Sequence, residues 1–240
     1  MKGKIKRFLG ALAWLISTWA IQWIVAVSMI IIISIKYIRK ENVDNLALRI
    51  KDITLGMTNY ILIIYAILTV LICFIVYTVR KKNFIRELQI FKINKINIIM
   101  CVCLGVAGLV VNDGVMTLIR NAGLFKENFE TTERMLSPLG NGSMFIIILS
   151  VGIMVPIAEE VIFRGAIFNT LSKNFSIGWT IIIQGVLFGV FHQNLIQGCY
   201  AAVLGIIFGY VVYKTKSLWS TIIIHIVNNT VSTLSGNIEL

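Results

Sequence analysis

Apolar residues fill seven long stretches of the chain, and short polar or charged connections separate them. The stretches cover residues 8–35, 57–79, 97–119, 144–171, 177–192, 195–213 and 218–236. Several of them exceed the roughly 20 apolar residues that a helix needs to cross a bilayer. The pattern predicts an all-α polytopic membrane helix bundle with about seven transmembrane helices (six to eight). We divide it into N-terminal transmembrane helices with basic loops (residues 1–143) and a C-terminal helical core (residues 144–240).

The composition supports a membrane protein and leaves no room for a soluble domain. Hydrophobic residues make up 58% of the chain and charged residues 14%, whereas soluble domains have about 45–50% and 25%. The net charge of +11 does not indicate nucleic-acid binding, because no basic patch with interleaved aromatic residues stands on a foldable soluble unit. We therefore expect the lipid bilayer, and no nucleic acid, as a partner, and a multi-pass protein of the cell membrane. The N-terminal apolar run is too long for a signal peptide, so it is interpreted as a retained first span.

The basic residues between the apolar stretches predict an orientation. Lysine and arginine accumulate in cytoplasmic loops, and with the N-terminus inside, the strongly basic connections fall on the cytoplasmic side except 36–54. In the connection 80–96, Phe84, Leu88 and Phe91 recur at helical spacing among basic residues. This spacing is typical of a basic amphipathic helix in the membrane interface, although a solvated basic loop explains the charges equally well.

Ionisable residues in the last third of the chain are the strongest functional signal, because charges are costly within a membrane. In a helix, Glu160 and Arg164 lie four residues apart on one face and can form an ion pair. Glu159 points about 100° away from Glu160, so it is free to face a cavity. A buried carboxylate of that kind can act as a general base. The alternative is a glutamate pair at the membrane interface that only contributes stability.

The two histidines of the chain lie in separate apolar stretches of this same region. His192 follows Phe188 by four residues, and Asn229 follows His225 by four, so each pair shares a helix face. A single histidine in a packed helix is more often structural than catalytic. Both histidines lie near an acidic pair in this sequence, which favours a shared site.

Other hydrolase designs fit the sequence less well. The segment His-Glu-x-x-His of zinc proteases is absent, although two histidines and a glutamate could still bind zinc. Asp113 is the only aspartate well inside a span, so an aspartyl pair is not available. Ser143 and Ser150 precede the cluster without a nucleophile-elbow signature. A glutamate that acts directly on water fits best.

The residues Glu159-Glu160-x-x-x-Arg164, Phe188-x-x-x-His192 and His225-x-x-x-Asn229 resemble the motifs of the CPBP family. This family comprises CAAX-type prenyl-protein endoproteases and their bacterial relatives, including bacteriocin-processing and immunity proteins. The resemblance covers about residues 144–236, and the residues before it match only as generic spans.

The resemblance implies a metal-independent intramembrane glutamate endopeptidase with no cofactor, which cleaves a membrane-associated peptide or protein. It implies that Glu159 activates water with the help of His192, that Glu160 and Arg164 hold the base, and that His225 and Asn229 stabilise the oxyanion. It also implies a water-accessible cavity, which we expect to open to the cytoplasm. The alternative function is a non-catalytic bacteriocin-immunity or scaffold protein that uses the same cavity for binding. A metal-dependent hydrolase is a third, weaker possibility.

The depths of the candidate residues pose one difficulty. At 1.5 Å per residue, Glu159, His192 and His225 lie about 18, 24 and 10 Å from the cytoplasmic ends of their helices. They can meet only if the helices are tilted or broken, and Pro156 is a candidate for such a break.

Overall fold

The computed structural model describes residues 2–38 and 43–235, and every element that it places in them is helical. The ten helices are α1 (Lys2–Tyr37), α2 (Val43–Gly56), α3 (Thr58–Val79), α4 (Phe84–Glu87), α5 (Lys95–Asn121), α6 (Lys126–Leu136), α7 (Met144–Ser172), α8 (Ile177–Phe191), α9 (Leu195–Thr215) and α10 (Leu218–Leu234). A short 3₁₀ turn, Ser137–Gly140, precedes α7. The predicted all-α class is confirmed. Arg39, Lys40 and Glu41 of the basic connection 36–54 lie outside the described residues.

Each of the seven predicted spans corresponds to a helix, but these helices differ in length. Five of them, α1, α3, α5, α7 and α9, are long and apolar enough to cross a membrane. The apolar helix α8 has 15 residues and α10 has 17, which corresponds to about 22 and 26 Å. Both are shorter than the roughly 30 Å hydrocarbon core. The connections also contain two helices that the apolar pattern did not predict, α2 and α6.

The helix α7 is continuous through Pro156, with a π-helical stretch on either side of the segment that contains it. These stretches are Ile148–Met154 and Val161–Ile167. Because proline has no amide hydrogen, the carbonyls of Val151 and Gly152 lose the partner that Pro156 would offer five and four residues later. Two side chains of α10 replace it: the Asn229 amide donates to Val151 O at 3.1 Å and the Thr230 hydroxyl to Gly152 O at 3.5 Å. Pro156 therefore does not break the helix. The two carbonyls that it leaves without an amide partner bind side chains of α10 and so link α7 to α10.

Glycines bring α8 and α9 into backbone contact. A Cβ atom on Gly205 would lie 2.8 Å from Gly185 Cα, closer than real Cβ atoms approach a neighbour. The buried Gln184 side chain adds a polar link, because its amide donates to Gly205 O at 2.6 Å. Small residues recur every fourth position in both helices, at Gly185 and Gly189 and at Ala201, Gly205 and Gly209. This spacing lets α8 pack closely on α9.

The connection between α3 and α5 packs against α7. The helix α4 is only four residues long, and Leu88 directly after it is buried against Gly165 of α7. Glu87 accepts a hydrogen bond from the Asn169 amide at 2.8 Å and forms an ion pair with Lys173 at 3.3 Å. The Asn169 hydrogen bond, with help from Lys173, lowers the pKa of Glu87. The expected amphipathic helix in the membrane interface is therefore wrong: the apolar side chain that would have faced lipid packs into the bundle.

Contacts between the connections define two ends of the bundle. At the first end, Leu218 N donates to Gln89 O at 2.8 Å, and Arg7 donates to the Asn174 side chain at 3.1 Å. At the second end, the Thr132 hydroxyl of α6 donates to Asn194 at 3.2 Å. We call them the basic end, which contains residues 2–7, 80–95, 173–176 and 214–217, and the opposite end, which contains residues 121–143 and 192–194.

The contact between α8 and α9 makes a prediction about stability. We expect Gly205→Ala to destabilise the protein by about 1–3 kcal/mol, the usual cost of overpacking a well-packed core. Gly178→Ala is the matched control, because Gly178 lies in the partner helix α8 but nothing stands within 4 Å of its added Cβ. Thermal unfolding of the two variants in detergent checks this. Equal melting temperatures for both variants would contradict the proposed backbone contact.

Candidate active site

The site is built around a buried ion pair within α7. Arg164 Nη1 lies 2.9 Å from Glu160 Oε1, and both side chains are fully buried. The predicted contact four residues apart is confirmed. The guanidinium also faces two rings, with its Cζ 4.2 Å from the centroid of Phe188 and 5.0 Å from that of Phe208. Two of its nitrogens, Nε and Nη2, have no hydrogen-bond partner among the described residues, so the ring faces stabilise the part of the cation that no acceptor reaches.

His225 on α10 joins the two glutamates. Its Nδ1 lies 2.8 Å from Glu160 Oε1, and its Nε2 lies 3.6 Å from Glu159 Oε2. Glu160 Oε1 thus contacts both the guanidinium of Arg164 and the imidazole of His225. Because a carboxylate paired with an arginine only accepts hydrogen bonds, Nδ1 of His225 carries a proton and donates it. The second nitrogen, Nε2, is therefore the one that faces Glu159.

His192 terminates α8 and belongs to the same aromatic cluster. Its ring packs edge-on against Phe188 with centroids 4.9 Å apart, and Phe188 in turn packs edge-on against His225 at 5.9 Å. Nδ1 of His192 lies 2.9 Å from Phe188 O. A carbonyl oxygen can only accept, so Nδ1 holds the proton, and Nε2 of the neutral ring is left as an acceptor.

A cavity of about 450 Å³ adjoins these residues. Four of the six candidates line it, namely Glu159, His192, His225 and Asn229. Glu160 and Arg164 do not line it, because they lie behind its wall. The structure thus separates the acidic pair as the helix geometry predicted: one carboxylate faces the cavity, and the other is engaged with an arginine and a histidine.

The helix arrangement resolves the difference in depth between the candidate residues. His192 lies at the end of a helix of only 15 residues, and α7 passes through two π-helical stretches. A π-helical stretch shifts the face that the following residues present. With α10 tied to α7 by Asn229, His225 comes within 3.6 Å of Glu159.

The mouth of the cavity lies at the opposite end of the bundle. Its lining includes Leu136 and Leu139, which come just before α7, and Gln193 and Asn194, which join α8 to α9. Thr233 in the last turn of α10 completes this rim. From the sequence, both the basic connections and the cavity mouth are expected on the cytoplasmic face. The structure places them at different ends, so one of these two expectations is wrong.

Asn229 already has a structural partner. Its side-chain amide donates to the Val151 carbonyl that Pro156 leaves unpaired. An asparagine amide carries two hydrogens, so one remains for a group in the cavity that Asn229 lines. The asparagine therefore combines a helix-to-helix link with a position in the site.

Several residues of the site were not found from the sequence. Tyr65 of α3 is buried in the same apolar core as Ala158, the residue before Glu159. Tyr200, Asp113 and the neighbouring Asn112 line the cavity. The one available signal was Asp113, an aspartate inside a span. Tyrosines in apolar helices carry no comparable signal.

A second, apolar groove adjoins the cavity between α5, α9 and α10. Its volume is about 390 Å³, and its walls are mostly aliphatic, with Leu104, Val111, Val203 and Ile207 among them. The groove and the cavity share five lining residues: Asn112, Tyr200, Leu204, Phe208 and Asn228. An apolar chain lying in the groove would therefore reach the edge of the cavity.

Metal-ligand geometry is the remaining point of comparison with other hydrolases. Among residues 2–38 and 43–235, no three histidine, cysteine, aspartate or glutamate side chains are grouped as they would be to hold a metal ion. The rings of His192 and His225 each pack edge-on with that of Phe188. Nδ1 of His192 contacts Phe188 O, and Nδ1 of His225 contacts Glu160 Oε1.

The C-terminal part of the chain is similar to a known protein family. Residues 141–231 match the model of a family described as type II CAAX prenyl endopeptidase Rce1-like. The match spans all six candidate residues and leaves residues 1–140 outside. It confirms the resemblance drawn from the three motifs. Neither the search of curated proteins nor that of solved structures gave a significant match.

The buried ion pair makes a prediction that does not depend on activity. Removing one partner of a buried charge pair costs about 3–5 kcal/mol, since the other charge stays uncompensated. We therefore expect Glu160→Gln to lower the thermal stability strongly. The double variant Glu160→Gln with Arg164→Met should recover much of the loss. Glu159→Gln is the matched control and should unfold near the wild-type temperature, because Glu159 faces the cavity. A Glu160→Gln protein as stable as Glu159→Gln would contradict this assignment of the two carboxylates.

Proposed function

We propose that this membrane protein, whose C-terminal segment belongs to the family of CAAX-type endopeptidases, is an intramembrane peptidase of the cell membrane. In this proposal it hydrolyses a peptide bond of a membrane-associated protein or peptide, with Glu159 as the base and without a metal ion. One observation carries the proposal. Of two adjacent buried glutamates, Glu160 is neutralised by Arg164, while Glu159 lines a cavity shared with His192, His225 and Asn229.

The proposed reaction uses one water molecule and one carboxylate. Glu159 accepts a proton from the water as its oxygen attacks the carbonyl carbon of the scissile bond. Nε2 of His192, the acceptor nitrogen of that ring, holds the second hydrogen of the water and so orients it. The tetrahedral intermediate collapses with cleavage of the carbon–nitrogen bond, and the proton on Glu159 passes to the leaving amine. The products are a new carboxyl end and a new amino end.

The proposed oxyanion donors are His225 and Asn229. Since Nδ1 of His225 is engaged with Glu160, only Nε2 can donate, and it can do so only when the ring is the imidazolium. The hydrogen bond to Glu160 Oε1 fixes the orientation of that ring, which makes Glu160 a positioning residue for His225. Asn229 would contribute the amide hydrogen that Val151 O does not use. Donors of this kind act on charge that develops in the transition state.

The apolar groove offers a place for the membrane-embedded part of the substrate. Its aliphatic walls suit a hydrocarbon chain or a run of apolar side chains. Because the groove shares Tyr200 and Asn228 with the cavity, a bound anchor would hold the adjoining peptide near Glu159. The binding energy of the anchor would then hold the scissile bond in the position that the reaction needs.

The catalytic proposal predicts the effect of removing the base. We expect Glu159→Gln and His192→Ala to lower the rate of peptide cleavage, with a loss of about 10²–10⁴-fold for the general base. Glu130→Gln, an exposed glutamate of α6, is the matched control and should cleave at the wild-type rate. The assay uses the purified protein in liposomes with fluorogenic membrane peptides, and cleavage should persist in the presence of chelators.

Each contrary result has a specific meaning. Full activity of both Glu159→Gln and His192→Ala would refute this mechanism. Loss of wild-type activity on chelation, restored by a divalent metal, would instead support the metal-dependent alternative. A Glu159→Ala protein that fully protects cells against a bacteriocin would support the immunity function.

The groove makes a separate prediction about substrates. Val203→Trp places a large ring in the groove, so we expect a raised KM for peptides with an apolar anchor and little change for short polar peptides. Val110→Trp on α5 is the matched control, because Val110 is equally exposed to the membrane but does not line the groove. A Val203→Trp enzyme with unchanged KM for anchored peptides would contradict binding of the anchor in the groove.

A further inference from the structure

The two ends of the bundle differ strongly in charge. The basic end carries thirteen lysines and arginines and one acidic residue, Glu87. Four of these basic residues lie within residues 2–7, six within 80–95, and three at positions 173, 214 and 216. In the connections at the other end of the helices, the parts with described side chains, residues 36–38, 45–56 and 120–143, carry six basic and four acidic residues.

Direct contacts show that the basic segments lie together. Glu87 pairs with Lys82 at 3.6 Å and with Lys173 at 3.3 Å, so the 80–95 connection meets the connection after α7. The hydrogen bond from Arg7 to Asn174 brings the start of α1 to the same place. The bond from Leu218 N to Gln89 O adds the start of α10. The basic residues thus form one surface and not several scattered loops.

The cavity reaches the surface at the other end. Along α1, Gly3 lies against Asn174 at the basic end, whereas Trp19 donates to Phe191 O and Trp23 lines the cavity. Twenty helical residues separate Gly3 from Trp23, which is about 30 Å along α1. The cavity mouth, with Leu139 and Asn194 in its lining, therefore lies toward the opposite end and away from the basic surface.

From this arrangement we infer that the catalytic cavity opens to the non-cytoplasmic side of the membrane. Lysine and arginine in short loops are retained in the cytoplasm, and the residues that flank the first span usually dominate. That rule places Lys2, Lys4, Lys6 and Arg7 inside, together with the rest of the basic surface. The cavity mouth, with α6 beside it, then faces outward.

This orientation predicts the class of substrate. The prediction rests on the proposed peptidase function. The substrate is an exported or membrane-anchored polypeptide whose scissile bond is exposed at the outer face of the membrane. A bond at the cytoplasmic face would be separated from Glu159 by the packed basic end, where Leu88, Leu171 and Leu218 are buried. The polar residues near the mouth, among them Gln22, Asn112 and Asn194, can hydrogen-bond an extended peptide that comes from water.

Cysteine labelling tests the orientation without any need for activity. In a background in which Cys73, Cys101, Cys103 and Cys199 are replaced, a single cysteine is introduced as Thr131→Cys or as Lys92→Cys. Both positions are exposed; Thr131 lies on α6 beside the mouth, and Lys92 lies on the basic surface. A membrane-impermeant maleimide should label Thr131→Cys in intact spheroplasts as fully as in permeabilised ones. Lys92→Cys should react only after permeabilisation.

The reverse labelling pattern would overturn the inference and place the cavity mouth in the cytoplasm.

Reporter fusions provide a second measurement with the native cysteines in place, because α10 runs from the basic end to the opposite end. Alkaline phosphatase fused after Leu240 should be active, and a fluorescent protein at the same position should be dark. An inactive phosphatase with a bright fluorescent protein would also overturn the inference. If the labelling is as expected but Glu159→Gln still cleaves, the orientation stands and the proposed catalytic mechanism fails.

Discussion

One carboxylate oxygen, Glu160 Oε1, holds the centre of the bundle together. It lies 2.9 Å from the buried guanidinium of Arg164 and 2.8 Å from Nδ1 of His225. A buried charge is tolerated only when it is paired, so α7 and α10 must keep this register. Phe188 of α8 and Phe208 of α9 cover the guanidinium and bring these helices to the same point. Glu160 Oε1 is paired with Arg164 and His225, and the neighbouring Glu159 is the carboxylate that lines the cavity.

The local part of the site could be predicted from the sequence, since it depends on helical spacing. Glu160 and Arg164 contact each other as their spacing indicates, and Glu159 turns toward the cavity. The contact between His225 and Glu160 joins residues 65 positions apart, and no local pattern encodes it. The role of Pro156 was also misread: the sequence suggested a break, but Asn229 and Thr230 supply the missing hydrogen bonds from another helix.

The helices of the membrane bundle were predictable for a different reason. Long apolar runs have few alternatives in a bilayer, so each of the seven predicted spans corresponds to a helix. The connections follow weaker rules. Leu88 was expected to face lipid among basic residues, yet it packs on Gly165 because a glycine there leaves room for it. The helices α2 and α6 are polar enough to escape an apolar pattern, although α6 lies beside the mouth of the cavity.

The central claim is that Glu159 acts on water beside the scissile bond. An experimental structure of the Glu159→Gln variant with a bound membrane peptide tests it most directly. We expect the scissile carbonyl in the cavity, with one water within about 2.6–3.2 Å of both residue 159 and Nε2 of His192. The carbonyl oxygen should face Nε2 of His225 and the amide of Asn229. A peptide whose backbone lies outside the cavity, or beyond the reach of one water from residue 159, would contradict the account.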